Sequence, residues 1–291
     1  VEADNPTVTV NEAQTAANTG THSDPGDDTI DLSASVGTVT DNGDGTWSWS
    51  FDTTDGPDDS QTVTITATDS DGAETTTTFD LTVDNVAPTL VLNPVPTIDE
   101  NGMALLSGVI TDPGTLDTFT LDVDWGDGSP VETRTFDATG SLFFTLPHRY
   151  LDDNPTGTVQ DSYTISATVT DDDAGEDTQS TSVTVNNVAP VLSDLSATTV
   201  DENGISTLTG TITDPGTLDT FTLDVDWGDG SPVETFNYAA GTTSFSETHQ
   251  YLDDDPSGTP SDDYTIMVTV EDDDTGTDTQ TTAVTVNNLA P

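Results

Sequence analysis

The chain has 291 residues, of which 55 are Asp or Glu and only two, Arg134 and Arg149, are basic, so its formal net charge is −53. This charge excludes nucleic acid as a partner, because binding to phosphates requires basic residues, and it disfavours an anionic membrane surface. There is no cysteine, which excludes a disulfide framework. No apolar run approaches the ~18 residues of a membrane span, so we expect no membrane insertion in this segment. No signal segment is found at Val1, and we expect any anchor or targeting signal to lie outside this piece.

Short runs of alternating apolar and polar residues occur along the whole chain and predict half-buried β-strands. In chain order the clearest are 7–10, 62–66, 119–125, 163–169 and 182–185. In the third run the odd positions would face a core, while Asp122 and Asp124 would face water. Gly, Asp, Asn and Pro clusters separate the runs, and no amphipathic helical stretch of useful length occurs. The pattern predicts all-β modules, built as two-sheet sandwiches.

An internal repeat organises the chain. Residues 111–133 are identical to residues 213–235, and the linker 185–190 returns as 286–291 with one substitution. A diverged copy of the same unit precedes them and ends in the linker 83–88. A long fixed period is typical of self-contained modules joined in series. The predicted modules are 1–87, 88–189 and 190–291, each of a size common for one domain.

The last two predicted modules carry a set of ordered motifs. Asp124-Trp125-Gly126-Asp127-Gly128-Ser129-Pro130 precedes His148-Arg149-Tyr150 and the strand 163–171, and the next module repeats the order at 227–231, 249–251 and 264–271. These motifs resemble those of PKD domains, a family of Ig-like β-sandwiches. The first module has neither signature motif and resembles a related Ig-like or cadherin-like repeat. The resemblance implies tandem Ig-like sandwiches arranged end to end.

Other motifs that could carry chemistry have simpler interpretations. The segments 42–45 and 126–128 contain Gly-Asp-Gly, and we interpret them as hairpin turns, since they lack the oxygen series and terminal Glu of an EF-hand. His148 and His249 are expected to be structural. Carboxylate pairs are too common in this chain to indicate a catalytic pair, so we expect no enzyme activity.

Acidic and amide residues, in contrast, recur at equivalent loop and linker positions. In an Ig-like module entered through its first strand, the loops after the second and sixth strands lie beside the incoming linker. We therefore expect them to meet the linker and a glutamate of the preceding module, an arrangement that resembles the calcium-bridged junctions of cadherins. The residues predicted at the first junction are Glu12, Asp84, Asn85, Asp112, Asp117, Asp171 and Asp173. Those predicted at the second are Glu100, Asn186, Asn187, Asp214, Asp219, Asp272 and Asp274.

Two further sets would each complete a site with another module. Asp24, Asp27, Asp69 and Asp71 belong to the first module, and Glu202, Asn287 and Asn288 to the last. Ca²⁺ is the predicted cofactor, because it takes about six to eight oxygen ligands in flexible geometry. The alternative is that these acids are solvated loop residues or the acidic coat of a halophile's protein.

The predicted function is that of a structural repeat segment of an extracellular or cell-surface adhesin, stalk or filament, rigidified by Ca²⁺ at the module junctions. Its partners would be neighbouring modules of the same or identical chains, joined head to tail. The alternative is an accessory or binding role beside a secreted hydrolase, in contact with surface glycans or proteins. A carbohydrate-binding module exposes a row of aromatic residues, so the exposure of Trp47 and Trp49 discriminates between the two.

Overall fold

The computed structural model describes residues 1–26, 28–137, 141–254 and 257–290, and these residues form β-strands, turns and loops. No helix that is long and apolar enough to cross a membrane occurs in these ranges. The chain divides into two compact units. The first comprises Val1–Asn93, Ser107–Thr145 and Ile165–Thr181, and the second comprises Pro94–Leu106, Leu146–Thr164 and Ser182–Pro291.

The first eight strands belong to the first unit. They are β1 Glu2–Ala3, β2 Thr7–Asn11, β3 Thr15–Thr21, β4 Ile30–Ala34, β5 Thr38–Asp41, β6 Thr46–Asp52, β7 Gln61–Asp69 and β8 Glu74–Asp84. They form two sheets with the strand orders β1-β3-β6-β5 and β2-β8-β7-β4. A single core joins side chains of both sheets, including Trp47, Trp49, Ile65 and Phe79. This is a β-sandwich.

The next eight strands contribute to both units. They are β9 Thr89–Leu92, β10 Ile98–Asp99, β11 Met103–Thr111, β12 Phe119–Asp124, β13 Glu132–Phe136, β14 Ser141–Arg149, β15 Gln160–Asp171 and β16 Glu176–Asn186. Their sheets have the orders β14-β11-β9 and β10-β16-β15-β12-β13. The alternation predicted for β12 is confirmed, since Leu121 and Val123 are buried and Asp122 and Asp124 are exposed. Trp125, which follows β12, is buried as well.

The last eight strands belong to the second unit and repeat the same topology. They are β17 Val191–Ala197, β18 Val200–Asp201, β19 Gly204–Thr213, β20 Phe221–Asp226, β21 Glu234–Tyr238, β22 Ser244–Tyr251, β23 Ser261–Asp272 and β24 Thr277–Asn287. Their sheets have the orders β17-β19-β22 and β18-β24-β23-β20-β21. Leu192, Leu208 and Phe245 from the first sheet share a core with Leu223 and Ile266 from the second.

The early strands of each repeat are divided between its two sheets. In the last repeat β17 pairs antiparallel with β19, whereas the short β18 pairs parallel with the final strand, β24. The parallel pair recurs as β10 with β16 and, in a longer form, as β2 with β8. Each repeat therefore has two mainly antiparallel sheets, one of which includes a parallel pair. The chain is a tandem array of Ig-like sandwiches, as the sequence predicted.

The Gly-Asp-Gly segments are hairpin turns, as predicted. Gly43 and Gly45 both have φ of 80°, and they connect the antiparallel pair β5 and β6. Gly126 and Gly128 have φ of 79° and 81° between β12 and β13. Glycine tolerates this left-handed conformation without the clash that a side chain would bring.

Candidate metal centres

A glutamate stands directly after β2, β10 and β18, and in each case it accepts a hydrogen bond from the backbone of a linker. The three N–H···Oε1 bonds are each 2.8 Å long and join Val86 to Glu12, Val188 to Glu100 and Leu289 to Glu202. The short strand places the glutamate, because its pairing with the last strand of the repeat fixes the chain beside the departing linker. The glutamate and the linker are therefore held together before any ligand is considered.

Cluster I lies within the first unit. It comprises Glu12, Asp55, Asn85, Asp112, Asp117, Asp171 and Asp173. In two sets of three residues the carboxylate oxygens lie within 4.8 Å of one another: Glu12 with Asp55 and Asp117, and Asp112 with Asp117 and Asp171. Asp117 belongs to both sets. The Asn85 side chain reaches the same place, since its Nδ2 donates to Asp171 Oδ2 at 3.0 Å.

Cluster II lies within the second unit and is built in the same way. It comprises Glu100, Asp152, Asp153, Asn187, Asp214, Asp219, Asp272 and Asp274. Its close sets include Glu100 with Asp214 and Asp219, and Glu100 with Asp152 and Asp153. Asn187 Nδ2 donates to Asp272 Oδ2 at 3.0 Å, as Asn85 does to Asp171. The two clusters therefore share one design.

Local turns hold the carboxylates in place while leaving oxygen atoms free. Asp112 Oδ1 accepts a 2.7 Å bond from the Gly114 N–H, but Asp112 Oδ2 is buried without a hydrogen-bond partner. Gly114 is needed here, because a Cβ at this position would lie 2.4 Å from Asp117 Oδ2. In cluster II the bond from Gly216 N to Asp214 Oδ1 is also 2.7 Å, and Asp214 Oδ2 is likewise unpartnered. One oxygen thus fixes the loop and the other faces the cluster.

Several enclosed carboxyl groups have no hydrogen-bond partner among the described residues other than another carboxyl group. Asp153 and Asp219 are each 0% exposed, and Asp117 and Asp274 are each 1% exposed. Each of the four faces another carboxyl group of its own cluster: Asp112 for Asp117, Asp214 for Asp219, and Asp153 and Asp274 for each other. Apart from these contacts, their oxygens have no hydrogen-bond partner among the described residues. Further unpartnered buried oxygens belong to Asp55, Asn85, Glu100, Asp152 and Asn187. Burying a charge without a partner is strongly unfavourable, so this arrangement requires either protonation or a cation.

The pKa values of these groups record the same conflict. Burial, and after it the charges of Glu100 and Asp214, raises the pKa of Asp219 to about 9. Burial, followed by the charges of Glu12 and Asp112, raises the pKa of Asp117 to about 8. Burial also raises the pKa of Glu100 to about 8, although the hydrogen bond from the Val188 N–H lowers it. At neutral pH the clusters therefore gain by exchanging protons for a cation that all the oxygens can share.

The donor set restricts the kind of cation. The clusters offer carboxylate and amide oxygens, with neither histidine nor cysteine among their members. Such oxygens suit hard cations, and a set of more than six suits Ca²⁺, which takes about six to eight oxygens, better than the tight octahedron of Mg²⁺. The residues present therefore fit Ca²⁺.

Some predicted ligands are placed away from the clusters. Asp84 is exposed, and its backbone oxygen accepts a bond from the Glu12 N–H. Asn186 directs its amide to Asp99, with Nδ2 donating to Oδ1 at 3.1 Å, instead of joining Asn187. Side chains of consecutive residues in an extended chain point in opposite directions, so only one of the two asparagines reaches the cluster.

The two outer sets differ from the clusters. Asp24 and Asp69 lie close to Asp28, with carboxylate oxygens within 4.8 Å of one another, in a more exposed setting. Asp71 is exposed, and the predicted ligand Asp27 lies outside the described residues. In the last repeat Glu202 is half-buried, Asn287 Nδ2 donates to Asp201 at 3.3 Å, and Asn288 is exposed.

The sequence prediction missed four members of these acidic groups, Asp28, Asp55, Asp152 and Asp153. A signal for the last two was present, because Tyr150-Leu151-Asp152-Asp153 recurs unchanged as Tyr251-Leu252-Asp253-Asp254. Asp55 and Asp28 belong to the diverged first repeat and have no such signal.

The aromatic residues that could have formed a carbohydrate platform are buried. Trp47 is 0% exposed and Trp49 is 2% exposed. Trp49 also packs edge-on against Phe79, and its Nε1 donates to the Val36 carbonyl at 2.7 Å. These two side chains stabilise the sandwich and offer no binding surface.

No family model matches the sequence, and no curated protein matches it. Structures similar to this chain include a tetra-tandem repeat from the extending region of a large adhesion protein, at 23% identity and a TM-score of 0.48, covering 98% of this chain and 74% of that one. The adhesin InvE of Yersinia pseudotuberculosis matches at 13% identity and a TM-score of 0.33, covering 71% of this chain and 66% of that one. The protocadherin GammaB4 extracellular domain matches at 15% identity and a TM-score of 0.31. That match covers 98% of this chain but about half of the protocadherin structure, 49%.

Proposed function

We propose that this chain is a structural repeat segment of an extracellular or cell-surface adhesin, stalk or filament, and that Ca²⁺ bound in clusters I and II rigidifies it. In this role the chain acts as a non-catalytic spacer, with its modules joined head to tail. The proposal concerns what the repeats do as an array, since the same acidic design occurs twice along the chain.

One observation carries the proposal. Each cluster buries a carboxyl group that meets only other carboxyl groups among the described residues: Asp117 in cluster I and Asp219 in cluster II. Solvated loop acids or an acidic coat would be exposed, as Asp122 is on β12. A cation between the carboxylates converts repulsion into attraction, and it draws together the linker, the glutamate and the loops that supply the ligands.

The link to rigidity comes from the linker bonds. Asn85 and Val86 contact Asp171 and Glu12 through hydrogen bonds, and both acids belong to cluster I. A cation that fixes these two carboxylates therefore also fixes the linker. Without the cation their mutual repulsion favours opening of the cluster and greater freedom of the linker.

The test is to remove and restore Ca²⁺ on the whole chain at moderate ionic strength. Chelation should lower the melting temperature and broaden the distribution of molecular dimensions measured by small-angle scattering. A site half-saturated at one hundredth of the free Ca²⁺ concentration contributes about 2.7 kcal/mol to the folded state. Unchanged melting curves and scattering profiles would contradict the proposal and favour an acidic coat.

Single substitutions make the test local. Asp112→Ala and Asp214→Ala each remove one loop carboxylate from one cluster, and each should weaken Ca²⁺ binding there on the order of tenfold or more, about 1.4 kcal/mol per factor of ten. Each sandwich should stay folded, because both residues lie in loops. Asp122→Asn is the matched control, since it removes an exposed charge and should change stability by no more than about 0.5 kcal/mol. Equal loss of Ca²⁺ affinity in the control would indicate a general charge effect.

A further inference from the structure

We infer that Asp152, Asp153 and Asp274, together with Glu100, form an additional divalent-cation position in cluster II, which cluster I lacks. This inference rests on the proposed function, because it assumes that the clusters bind hard cations. It adds that the two clusters bind different numbers of cations, although their repeated sequence would suggest equal numbers.

One backbone hydrogen bond in each cluster shows which residues of the Asp55 loop and the Asp152–Asp153 loop are equivalent. The Thr115 N–H donates to the Thr54 carbonyl at 2.9 Å, and the Thr217 N–H donates to the Leu151 carbonyl at 3.1 Å. Thr115 and Thr217 occupy the same place in the identical 23-residue segments. Thr54 therefore corresponds to Leu151, which places Asp55 opposite Asp152 and Gly56 opposite Asp153.

The residue that differs, Asp153, is one of the two fully enclosed carboxylates of cluster II, with Asp219 as the other. Asp153 is 0% exposed and Asp274 is 1% exposed, and the two carboxyl groups face each other. Apart from this carboxyl–carboxyl contact, neither side chain has a hydrogen-bond partner among the described residues. Asp152 adds a fifth oxygen, Oδ1, which has no hydrogen-bond partner. Enclosed anions that face one another in this way need a positive charge between them.

This position is distinct from the one that both clusters share. Glu100 lies within 4.8 Å of Asp152 and Asp153 on one side and of Asp214 and Asp219 on the other. Its Oε1 is used by the Val188 N–H, whereas its Oε2 is buried without a partner. Glu100 can therefore stand between two adjacent cations, as carboxylates do in sites that hold more than one metal ion.

Cluster I lacks one of the four carboxylates of this position, because Glu12, Asp55 and Asp173 correspond to Glu100, Asp152 and Asp274 but Gly56 stands in place of Asp153. Gly56 carries no side chain, and a Cβ there would lie 2.8 Å from the Asp84 carbonyl carbon and 2.9 Å from the Asn85 nitrogen. The Gly56 N–H instead donates to Glu12 Oε2 at 3.0 Å, which satisfies the oxygen that remains free in Glu100. Asp173, which corresponds to Asp274, is only half-buried. In cluster I the Gly56 N–H thus satisfies the glutamate oxygen that a cation would satisfy in cluster II.

The chemistry of the position defines its occupant. Four carboxylates and no nitrogen or sulfur donor favour a hard divalent cation of the Ca²⁺ class. The formal charge of Glu100, Asp152, Asp153 and Asp274 exceeds what one such ion neutralises, so the position should be occupied only together with its neighbour. We expect cluster II to bind its ions cooperatively and cluster I to bind fewer.

The experiment counts bound Ca²⁺ on the whole chain, by native mass spectrometry and by metal analysis after equilibrium dialysis. Asp153→Asn should bind one ion fewer than the unaltered chain. Asp153→Gly, which reproduces the residue of cluster I, should do the same. Asp137→Asn removes one exposed charge and should leave the count unchanged. Circular dichroism with Ca²⁺ present checks that each variant is folded, and Asp274→Asn, in a different loop, provides a second removal of the same position.

The outcomes separate the two proposals. If the unaltered chain binds no Ca²⁺, the proposed function fails and the inference fails with it. If it binds Ca²⁺ but Asp153→Asn and Asp274→Asn both keep the full number, only the additional position is overturned. Asp219→Asn serves as the reference for loss of the position that both clusters share. If Asp153→Asn loses every ion of cluster II, as judged against that reference, cluster II is one undivided site and the additional position is overturned. Loss of a single ion in both variants supports it.

Discussion

Clusters I and II use equivalent glutamates, asparagines and aspartates, but they differ in the loop that supplies Asp55 in one and Asp152 with Asp153 in the other. In cluster I the backbone N–H of Gly56 donates a hydrogen bond to Glu12 Oε2. In cluster II a side chain stands at that position, and the matching oxygen of Glu100 is unpartnered. One loop position outside the identical segment, Gly56 in cluster I and Asp153 in cluster II, thus decides whether the glutamate oxygen meets a hydrogen-bond donor or further negative charge.

Repeated sequence in the two clusters does not imply repeated electrostatics. Asp117 and Asp219 lie in identical sequence surroundings, and burial raises the pKa of both, to about 8 and about 9. The difference lies at the glutamates, since Glu12 Oε2 accepts a hydrogen bond and Glu100 Oε2 has no partner. The identical segment sets the geometry of the loop, whereas the neighbouring repeat supplies part of the surrounding charge. Each cluster therefore depends on both repeats that build it.

The largest effect is expected from pH in the absence of metal, because it acts on several carboxylates at once. Unfolded carboxyl groups titrate near about 4, whereas folded Glu100 and Asp219 titrate at about 8 and about 9. The folded chain holds more protons over this range, so its stability is fully present below about pH 4 and is lost as the pH rises through the folded pKa values. Calorimetry in chelator at pH 5, 7 and 9 should show falling melting temperatures.

Two variants measure this pH dependence separately in clusters I and II. Asp219→Asn and Asp117→Asn should each reduce the pH dependence, because burial raises the folded pKa of both carboxyl groups. Saturating Ca²⁺ should flatten the dependence, since the ion displaces the same protons. Metal-free stability that increases between pH 5 and pH 9 would be incompatible with enclosed carboxylates of raised pKa.

The next prediction concerns the hydrophobic cores of the last two repeats, which we expect to be equally stable although clusters I and II differ. Trp125 and Trp227 are both buried, and their Nε1 atoms donate to Glu132 at 3.1 Å and to Glu234 at 3.0 Å. Truncating either one to Ala should destabilise its sandwich by about 3 to 5 kcal/mol, as for other buried aromatic residues. Thermal unfolding followed by circular dichroism with Ca²⁺ present should give similar losses. A difference of more than about 1 kcal/mol would place the inequality in the cores.

The smallest effect concerns the residue that separates the clusters. Gly56→Ala introduces a Cβ within 3.0 Å of backbone atoms of Asp84 and Asn85, so it should destabilise the first sandwich and its linker by about 1 to 3 kcal/mol. Gly43→Ala is the matched control for the loss of a glycine, since a Cβ there meets nothing within 4 Å. Denaturant unfolding would measure both variants, and the control should carry only the strain of its positive φ. A fully tolerated Gly56→Ala would mean that cluster I can accept a side chain at this position.

Much of the fold could be predicted because local pattern and burial agree. The run around Leu121 alternates with the period of a strand, and the structure buries the same face. The two-residue strands β10 and β18 carry no such period, yet they position Glu100 and Glu202. Their existence depends on pairing with β16 and β24, which are distant in the sequence.

The members of the candidate centres were predictable where the repeat marked them at loop positions, as for Asp112 and Asp214. Asp55 was missed because its loop reaches cluster I only through the packed sandwich, and no nearby motif indicates this. Asn186 was predicted beside Asn187, but the alternation of an extended chain turns its amide towards Asp99. Calcium itself remains a prediction.

The parallel pairing of the first and last strands bears on how such a chain would respond to tension. In the first repeat β2 and β8 run side by side from Thr7 opposite Asp80 to Asn11 opposite Asp84. A force that pulls the start of β2 away from the end of β8 acts along the strands and strains all the bonds between them together, instead of opening them one at a time. Each repeat is thus closed by a joint that is loaded in shear, and the first repeat has the longest of the three.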